Sequence, residues 1–503
     1  MGFFTDAYDF FAISLVIDII RNKYYHQEPI PKRVSAAIHS IALCGAVRGQ
    51  LVFGWLGDKM GRKRIYGITL VLMVVTSIAS GISFSNCEGK HVVITVLCFF
   101  RFWLGFGIGG DYPLSATIMS EYANRKRRGA FIATVFAMQI PNVPASFDLW
   151  MELQGFGNIA AGIVGMVVSA SFRNNRISNA DYVCRIVLML GAFLAALTYY
   201  WRMKMPETAR YTALVAMDVK KAALDMSSVL NVHIVPEDEA VNELEMHDQY
   251  GLLSLEFLHR HGVHLLSTSV CWLALDITLY SLNLFMKNIF TQVGLLSLYP
   301  DSCPFERMIK ITALHTALTL CGALPGNFFT VAFVDRIGRV RIKLLGFTMM
   351  SVFILCLAVR YDHHWSNHKM NKYIFGAMYG MTSFFANFGP NTTTFIIPAE
   401  IFPAWLRSTC HGISGAFGKI GAIIGVFVFV YNQKYLKTIL FTLVGCNVVG
   451  LGFTFLLPES KGKSLEEING EMEEQQVQQD AAEVAATEYI HLVPIQLICG
   501  VYI

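Results

Sequence analysis

Apolar stretches about as long as a bilayer is thick recur from one end of this chain to the other, and nothing else constrains its fold as strongly. A membrane span needs roughly 20 apolar residues. Such stretches stand at about 2–20, 35–56, 65–84, 92–113, 129–139 continuing at 155–171, 183–203, 264–290, 309–334, 341–360, 372–397, 407–432 and 436–457. The expected product is an all-α membrane protein of twelve transmembrane helices. Composition agrees: 54% of the 503 residues are hydrophobic and 15% charged, with a mean hydropathy of +0.47, far from an average soluble domain. The chain opens inside an apolar run without a basic leader, so no cleavable signal peptide is expected.

Lys and Arg set the orientation. Arg62-Lys63-Arg64, Arg125 to Arg128, the 204–262 loop, Arg336 to Lys343 and Arg407 occupy alternate loops, which the positive-inside rule assigns to the cytosol. An even number of spans then puts both termini there. Arg21, Lys23, Lys32 and Arg33 lie on the other face, so the assignment rests on the majority. The formal charge of +4 gives no reason to expect a nucleic-acid partner; the lipid bilayer is the expected surrounding. The 11 cysteines have no metal-ligand spacing and read mostly as small core residues. Cys87 and Cys303 fall in outside loops, but their spacing does not fix a pairing. No metal or cofactor is called for.

Three landmarks recur in the same order. Gly54-Trp-Leu-Gly-Asp58-Lys-Met-Gly61-Arg62 is echoed by Val334-Asp335-Arg336-Ile-Gly338-Arg339; Glu121 followed by Arg128 is echoed by Glu400 followed by Arg407; Pro206-Glu207-Thr208 is echoed by Pro458-Glu459-Ser460. The chain therefore reads as two pseudo-symmetric six-helix bundles, 1–203 and 263–458, joined by a cytosolic linker at 204–262 and followed by a tail at 459–503. Parallel halves of this kind are a transporter architecture with substrate near the midplane. The linker carries helical spacing around Val219 to Leu230. The tail is acidic and Gln-rich, and its apolar end, Val493 to Ile503, is too short to span.

Chemistry concentrates at a few intramembrane positions. Gly109-Gly110-Asp111-Tyr112-Pro113 to Tyr122 sets a carboxylate and a phenol at the end of an apolar run, and an ionisable group at such depth is a functional-site candidate. Asp111 at a water-filled interface, or merely tying two helices together, competes with that reading. Trp272, Asp276 and Tyr280 recur every four residues and share one helix face; a packing stripe with a stray acid is the plain alternative. Asn391 follows Pro390, which frees backbone carbonyls that only a cavity tolerates. Lys419, within Gly415-Ala-Phe-Gly418-Lys419-Ile-Gly421, is the natural counter-charge for an anion. Arg101 is a deep cation that pairs with Asp6 or Asp9 if it pairs at all. His39, His315 and His411 read as satisfied polar residues.

The paired Gly-Asp-Gly-Arg loops and Pro-Glu-(Thr/Ser) ends resemble the major facilitator superfamily. Within it, Gly2-Phe-Phe-Thr-Asp6-Ala-Tyr-Asp9, the Gly109 to Tyr122 stretch, Phe136-Ala-Met-Gln139, Trp272-Leu-Ala-Leu-Asp276 and Phe388-Gly-Pro-Asn391 are similar to the plant and fungal proton-coupled high-affinity phosphate transporters. That resemblance implies symport of inorganic phosphate with protons across the plasma membrane by alternating access, and no enzyme activity. It implies a phosphate pocket of Asp111, Tyr112, Gln139, Trp272, Asp276, Tyr280, Asn391 and Lys419. It implies proton coupling through Asp6, Asp9, Asp111 and Asp276, and cytosolic gating by Asp58, Arg62, Glu121, Arg128, Asp335, Arg339, Glu400 and Arg407. For the gating set, solvated turns are the alternative, and isolated surface pairs contribute only about 0–1 kcal/mol.

Carboxylates beside a phosphate are reconcilable once protons are counted. A neutral carboxylic acid at Asp276 donates to a phosphate oxygen instead of repelling it, and losing that proton inside helps expel the anion. The same logic disfavours sulfate, which has no proton to donate near neutral pH.

The chain departs from the resemblance in four places. Met1 lies almost on the first-span motif. Ile140 to Gln154 interrupts the fifth span with two prolines, Asp148 and Glu152, reads as a retained intron or mispredicted exon rather than a loop lining a cavity, and leaves Gln139 and Gln154 as competing pocket glutamines. Arg48 stands mid-span where a small residue is expected. The tail is the fourth. A phosphate sensor on the same scaffold and a sugar porter of the superfamily remain alternatives, the latter needing several neutral amides; a membrane enzyme lacks a nucleophile–base pair.

Overall fold

The computed structural model describes residues 2–25, 28, 30–84, 89–123, 125–137, 153–172, 180–204, 206–218, 220–224, 250–296, 304–360 and 369–469. Helices fill them: α1 (Gly2–Tyr24), α2 (Lys32–Met60), α3 (Arg62–Ile82), α4 (Lys90–Tyr122), α5 (Arg128–Ala137), α6 (Leu153–Ser171), α7 (Ala180–Lys204) and α8 (Ala209–Leu214). They continue with α9 (Leu255–Val293), α10 (Pro304–Leu318), α11 (Leu324–Ile337), α12 (Arg339–Val359), α13 (Lys369–Ala386), α14 (Thr392–Ile401), α15 (Arg407–Asn432), α16 (Leu436–Thr454) and α17 (Leu465–Asn469). No strand occurs among the described residues. Nine helices among the described residues are long and apolar enough to cross a membrane.

These helices line up with the twelve sequence stretches. α10 continues into α11, and α13 into α14, through π-helical turns at Thr319–Ala323 and Asn387–Asn391. In the second turn Gly389 takes φ −148°, ψ −115° beside Pro390, which has no N–H to continue the ladder. The halves of the fifth stretch are α5 and α6. Most of the insertion between them, residues 138–152, lies outside the described residues, as do Cys87, Cys303 and residues 470–503. The linker shows helix at α8 and at 220–224, while 225–249 lie outside.

Each half has its own packed interior. In the first, Tyr8, Ile13 and Val16 of α1 meet Leu97 of α4 and Val183 and Val187 of α7. In the second, Phe285 of α9 stacks on Phe429 of α15, ring centroids 4.3 Å apart and 9° from parallel, within a cluster reaching Ile354 and Tyr379 and taking in Ala36 and Leu43 of α2 from the first half. A third cluster joins the halves: Phe53, Tyr112 and Ile132 with Trp272, Phe388 and Phe395.

Small residues set the closest approaches. At Gly45 of α2 an added Cβ would lie 2.0 Å from the carbonyl oxygen of Phe102, and at Gly105 of α4, 1.9 Å from that of Ala42. Only glycine lets these backbones touch. The α2–α3 and α11–α12 turns repeat one solution: Gly61 and Gly338 have φ of +97° and +112°, in the region that favours glycine, and at each the space for a side chain is taken by a glutamate, Glu207 or Glu459. Arg48 is exposed in the middle of α2, its guanidinium 5.4 Å from the Phe102 ring centroid.

Candidate functional site

A cavity of about 160 Å³ lies where α1, α4, α9, α10, α11, α13 and α15 converge, with Tyr112, Trp272, Asp276, Tyr280, Asn391 and Lys419 on its wall. Helix periodicity builds one side. Trp272, Asp276 and Tyr280 are successive i, i+4 positions of α9, and Lys419 faces them from α15. The Lys419 ammonium donates to Asp276 Oδ2 at 3.1 Å and to the Tyr280 hydroxyl at 2.9 Å, and sits 5.1 Å and 4.8 Å from the Tyr112 and Tyr280 ring centroids. Asp276 and Lys419 are each 3% exposed. Trp272 is wedged against Gly418, whose added Cβ would fall 2.2 Å from the indole, and meets His411 edge to face.

The π-helical turn after α13 builds another side. It carries Asn391, whose amide donates to Asn387 Oδ1 at 2.8 Å, while the Asn387 amide donates to the Ser383 carbonyl at 2.8 Å. Asn283, His315, Thr319, Asn327, Ser383 and Asn387 also line the cavity. Sequence patterning did not single these out as pocket residues, and His315 had read as an ordinary polar residue. The one available signal was the run of Asn, Thr and Ser inside the eighth and tenth stretches.

Asp111 does not line this cavity, against the sequence expectation. Successive helix residues project about 100° apart, so Tyr112 faces the cavity while Asp111 turns to α7, where Arg202 donates to its two carboxylate oxygens at 2.8 and 3.5 Å. The same guanidinium lies 4.2 Å from the Tyr66 ring centroid. Arg202 was overlooked because it stands at the end of the sixth stretch, beside the basic linker. Asp6 and Asp9 are buried on α1, and neither carboxylate has a hydrogen-bond partner among the described residues. Asp6 feels the charges of Asp111 and Arg202, and Asp9 faces Gly191 of α7. Arg101 donates to the backbone carbonyl of Asp9 at 3.1 Å, not to a carboxylate. Gln139 lies outside the described residues, as does the side chain of Gln154. His39 and His411 bond the carbonyls of Ser35 and Phe395.

The expected gating residues gather at the face bearing the basic loops, in a pattern repeated between halves. Asp58, near the end of α2, accepts the N–H groups of Ser408 and Thr409 at 3.2 and 2.7 Å, at the start of α15. Asp335, near the end of α11, accepts those of Gly129 and Ala130 at 3.1 and 2.8 Å, at the start of α5. Each carboxylate thus satisfies orphan amides at a helix N-terminus in the opposite half, where the helix dipole favours negative charge. Arg62 pairs with Asp58 and Glu121, and Arg339 with Asp335 and Glu400. Arg407 crosses the seam to Glu121 at 3.2 Å, Arg62 to the Ala404 carbonyl at 2.7 Å, and Arg128 to the Lys463 carbonyl at 3.3 Å. Glu207 accepts the amides of Arg62 and Lys63, and Glu459 those of Arg339 and Val340. Burial raises the Glu207 carboxyl above the ordinary glutamate value, against its amide donors and the Arg62 charge, which pull it down.

The family described as "Sugar (and other) transporter" matches residues 1–140 and 151–472. A protein of Oryza sativa subsp. japonica bearing the name inorganic phosphate transporter 1-13 is 66% identical over 98% of this chain and 94% of its own length. The low affinity inorganic phosphate transporter 1 of Petunia hybrida is 52% identical over 94% of this chain and 91% of its own. Among solved structures, the proton:xylose symporter XylE of the major facilitator superfamily, bound to a bromodeoxyglucose, superposes with a TM-score of 0.69 at 17% identity, covering 93% of this chain and 96% of that one. The same fold is seen again in a partially occluded inward-open form of XylE from E. coli, at a TM-score of 0.65.

Proposed function

The chain belongs to the inorganic phosphate transporter family, within the sugar (and other) transporters of the major facilitator superfamily, and from this premise we propose that it imports inorganic phosphate together with protons across the plasma membrane by alternating access. The observation that carries the reading is the Lys419 ammonium in a cavity wall, held by Asp276 and Tyr280. With Asp276 ionised, the pair is neutral and Lys419 is occupied. Protonation of Asp276 frees the ammonium for an anion and turns the acid into a donor for a phosphate oxygen. Tyr112, Trp272, Tyr280 and Asn391 complete the shell. Loss of the proton on the other side returns Lys419 to Asp276 and displaces the phosphate.

In this reading Asp111, paired with Arg202, belongs with Asp6 and Asp9 on the proton path and not in the phosphate shell. The basic-loop face is cytosolic and both termini lie there. The units are the bundles 1–203 and 263–458, the linker 204–262 and the tail 459–503. Asp58, Arg62, Glu121, Arg128, Asp335, Arg339, Glu400 and Arg407 form the inner gate, closing when the site faces outward. The test is uptake of labelled phosphate into liposomes carrying the full chain. An inward proton gradient should drive accumulation and a protonophore abolish it; accumulation indifferent to the gradient contradicts symport.

A further inference from the structure

The cavity holds more than a phosphate ion. Its volume of about 160 Å³ is room for about five waters at roughly 30 Å³ each, whereas inorganic phosphate is one small tetrahedron. Among the described residues its charged groups stand together, at Asp276 and Lys419. The rest of its polar lining is different in kind: Asn283 of α9, His315 and Thr319 where α10 enters its π-turn, Asn327 of α11, Ser383 of α13 and Asn387. These are amides, hydroxyls and an imidazole. Asn327 is 4% exposed; the Thr392 hydroxyl lies 3.4 Å from its Oδ1 and 3.1 Å from the Asn387 carbonyl, and its NH2 is engaged by no acceptor among the described residues. Thr319 donates to the His315 carbonyl at 3.0 Å, so its oxygen stays able to accept. Neutral donors and acceptors in a confined space are what ligand hydroxyls require, and a wall built to bond them discriminates against analogues that lack them.

We infer that this neutral wall is a subsite for the hydroxylated part of a small phosphomonoester of a polyol, whose phosphate takes the place proposed above for inorganic phosphate beside Lys419. The inference rests on that phosphate reading. No covalent step is involved; the ester crosses intact.

The experiment uses the full chain in proteoliposomes, with glycerol 3-phosphate as probe and methyl phosphate as the ester without hydroxyls. Labelled glycerol 3-phosphate should be taken up, and the unlabelled compound should compete with labelled phosphate at least about fivefold better than methyl phosphate. Asn327→Leu should weaken that competition about five- to tenfold, one lost hydrogen bond, while half-saturation by inorganic phosphate moves less than about twofold. Thr319→Val gives the same reading should Asn327→Leu not fold. Phosphate uptake with neither competition from nor uptake of glycerol 3-phosphate overturns the subsite. So does parity of the two esters, or an equal loss of phosphate and ester in the variants. Ester uptake without phosphate uptake would uphold the subsite and sink the phosphate reading instead.

Discussion

Asp58 accepts the backbone N–H of Thr409 at 2.7 Å, so a carboxylate of the first half caps the first turn of a helix in the second. The Thr409 hydroxyl donates to the same oxygen at 2.7 Å. Removing a cap costs about 0.5–2 kcal/mol, and this one also spans the seam. Asp58→Ala should therefore loosen the basic-loop face. A cysteine placed at Leu114, a buried position beside Gly57, should react with a maleimide several-fold faster in that background; an unchanged rate would mean that the cap does not hold the halves together.

The Asp111–Arg202 pair lies inside the first half with the two side chains 0% and 5% exposed. Removing one partner of a buried ion pair costs about 3–5 kcal/mol because the other charge is stranded, whereas replacing both is far milder. Thermal unfolding of the solubilised chain should show Arg202→Met strongly destabilised and Arg202→Met with Asp111→Asn substantially recovered. Equal damage in the single and double variants would argue that Arg202 acts through packing alone.

At Gly45 a methyl group would overlap the Phe102 carbonyl, and backbone on both sides cannot yield as a side chain would. Gly45→Ala should separate α2 from α4 and cost about 1–3 kcal/mol or more as overpacking. Gly452, with nothing within 4 Å of an added Cβ, is the control: Gly452→Ala should leave folded yield near wild type. Similar yields for the two variants would contradict the close-approach account.

Glu207 supplies a pH test outside the spans. Its carboxyl is raised by burial, so the folded chain binds its proton more tightly than the unfolded one. The stabilisation is full below the ordinary glutamate value and is lost as pH rises through the raised one. The melting temperature should fall across that window in the wild type and less so in Glu207→Gln. Parallel profiles would assign the slope to other groups.

Much of this was legible in the sequence because membrane spans and repeats are written in length and order. The twelve stretches, the paired loops and the i, i+4 face of Trp272, Asp276 and Tyr280 follow from periodicity, and Lys419 from being a cation deep in a small-residue stretch of the second half. What escaped depended on rotation and on distant partners. Tyr112 and Asp111 are adjacent, so one motif seemed to serve one site, yet a 100° turn sends them to different partners. Arg202 is 91 residues from Asp111, and nothing local announces the pair. The neutral lining at Asn283, Asn327 and Asn387 converges only once the π-turns shape α10, α11 and α13.

Phosphate binding by the purified full chain as a function of pH, for the wild type and for Asp276→Asn, tests the coupling of Asp276 to the anion. If protonation of Asp276 is what releases Lys419 to the anion, wild-type affinity falls as pH rises and the variant, whose amide never ionises, binds with a much flatter profile. The same steep profile in both proteins would contradict this coupling, because the proton that governs phosphate would then sit somewhere other than Asp276.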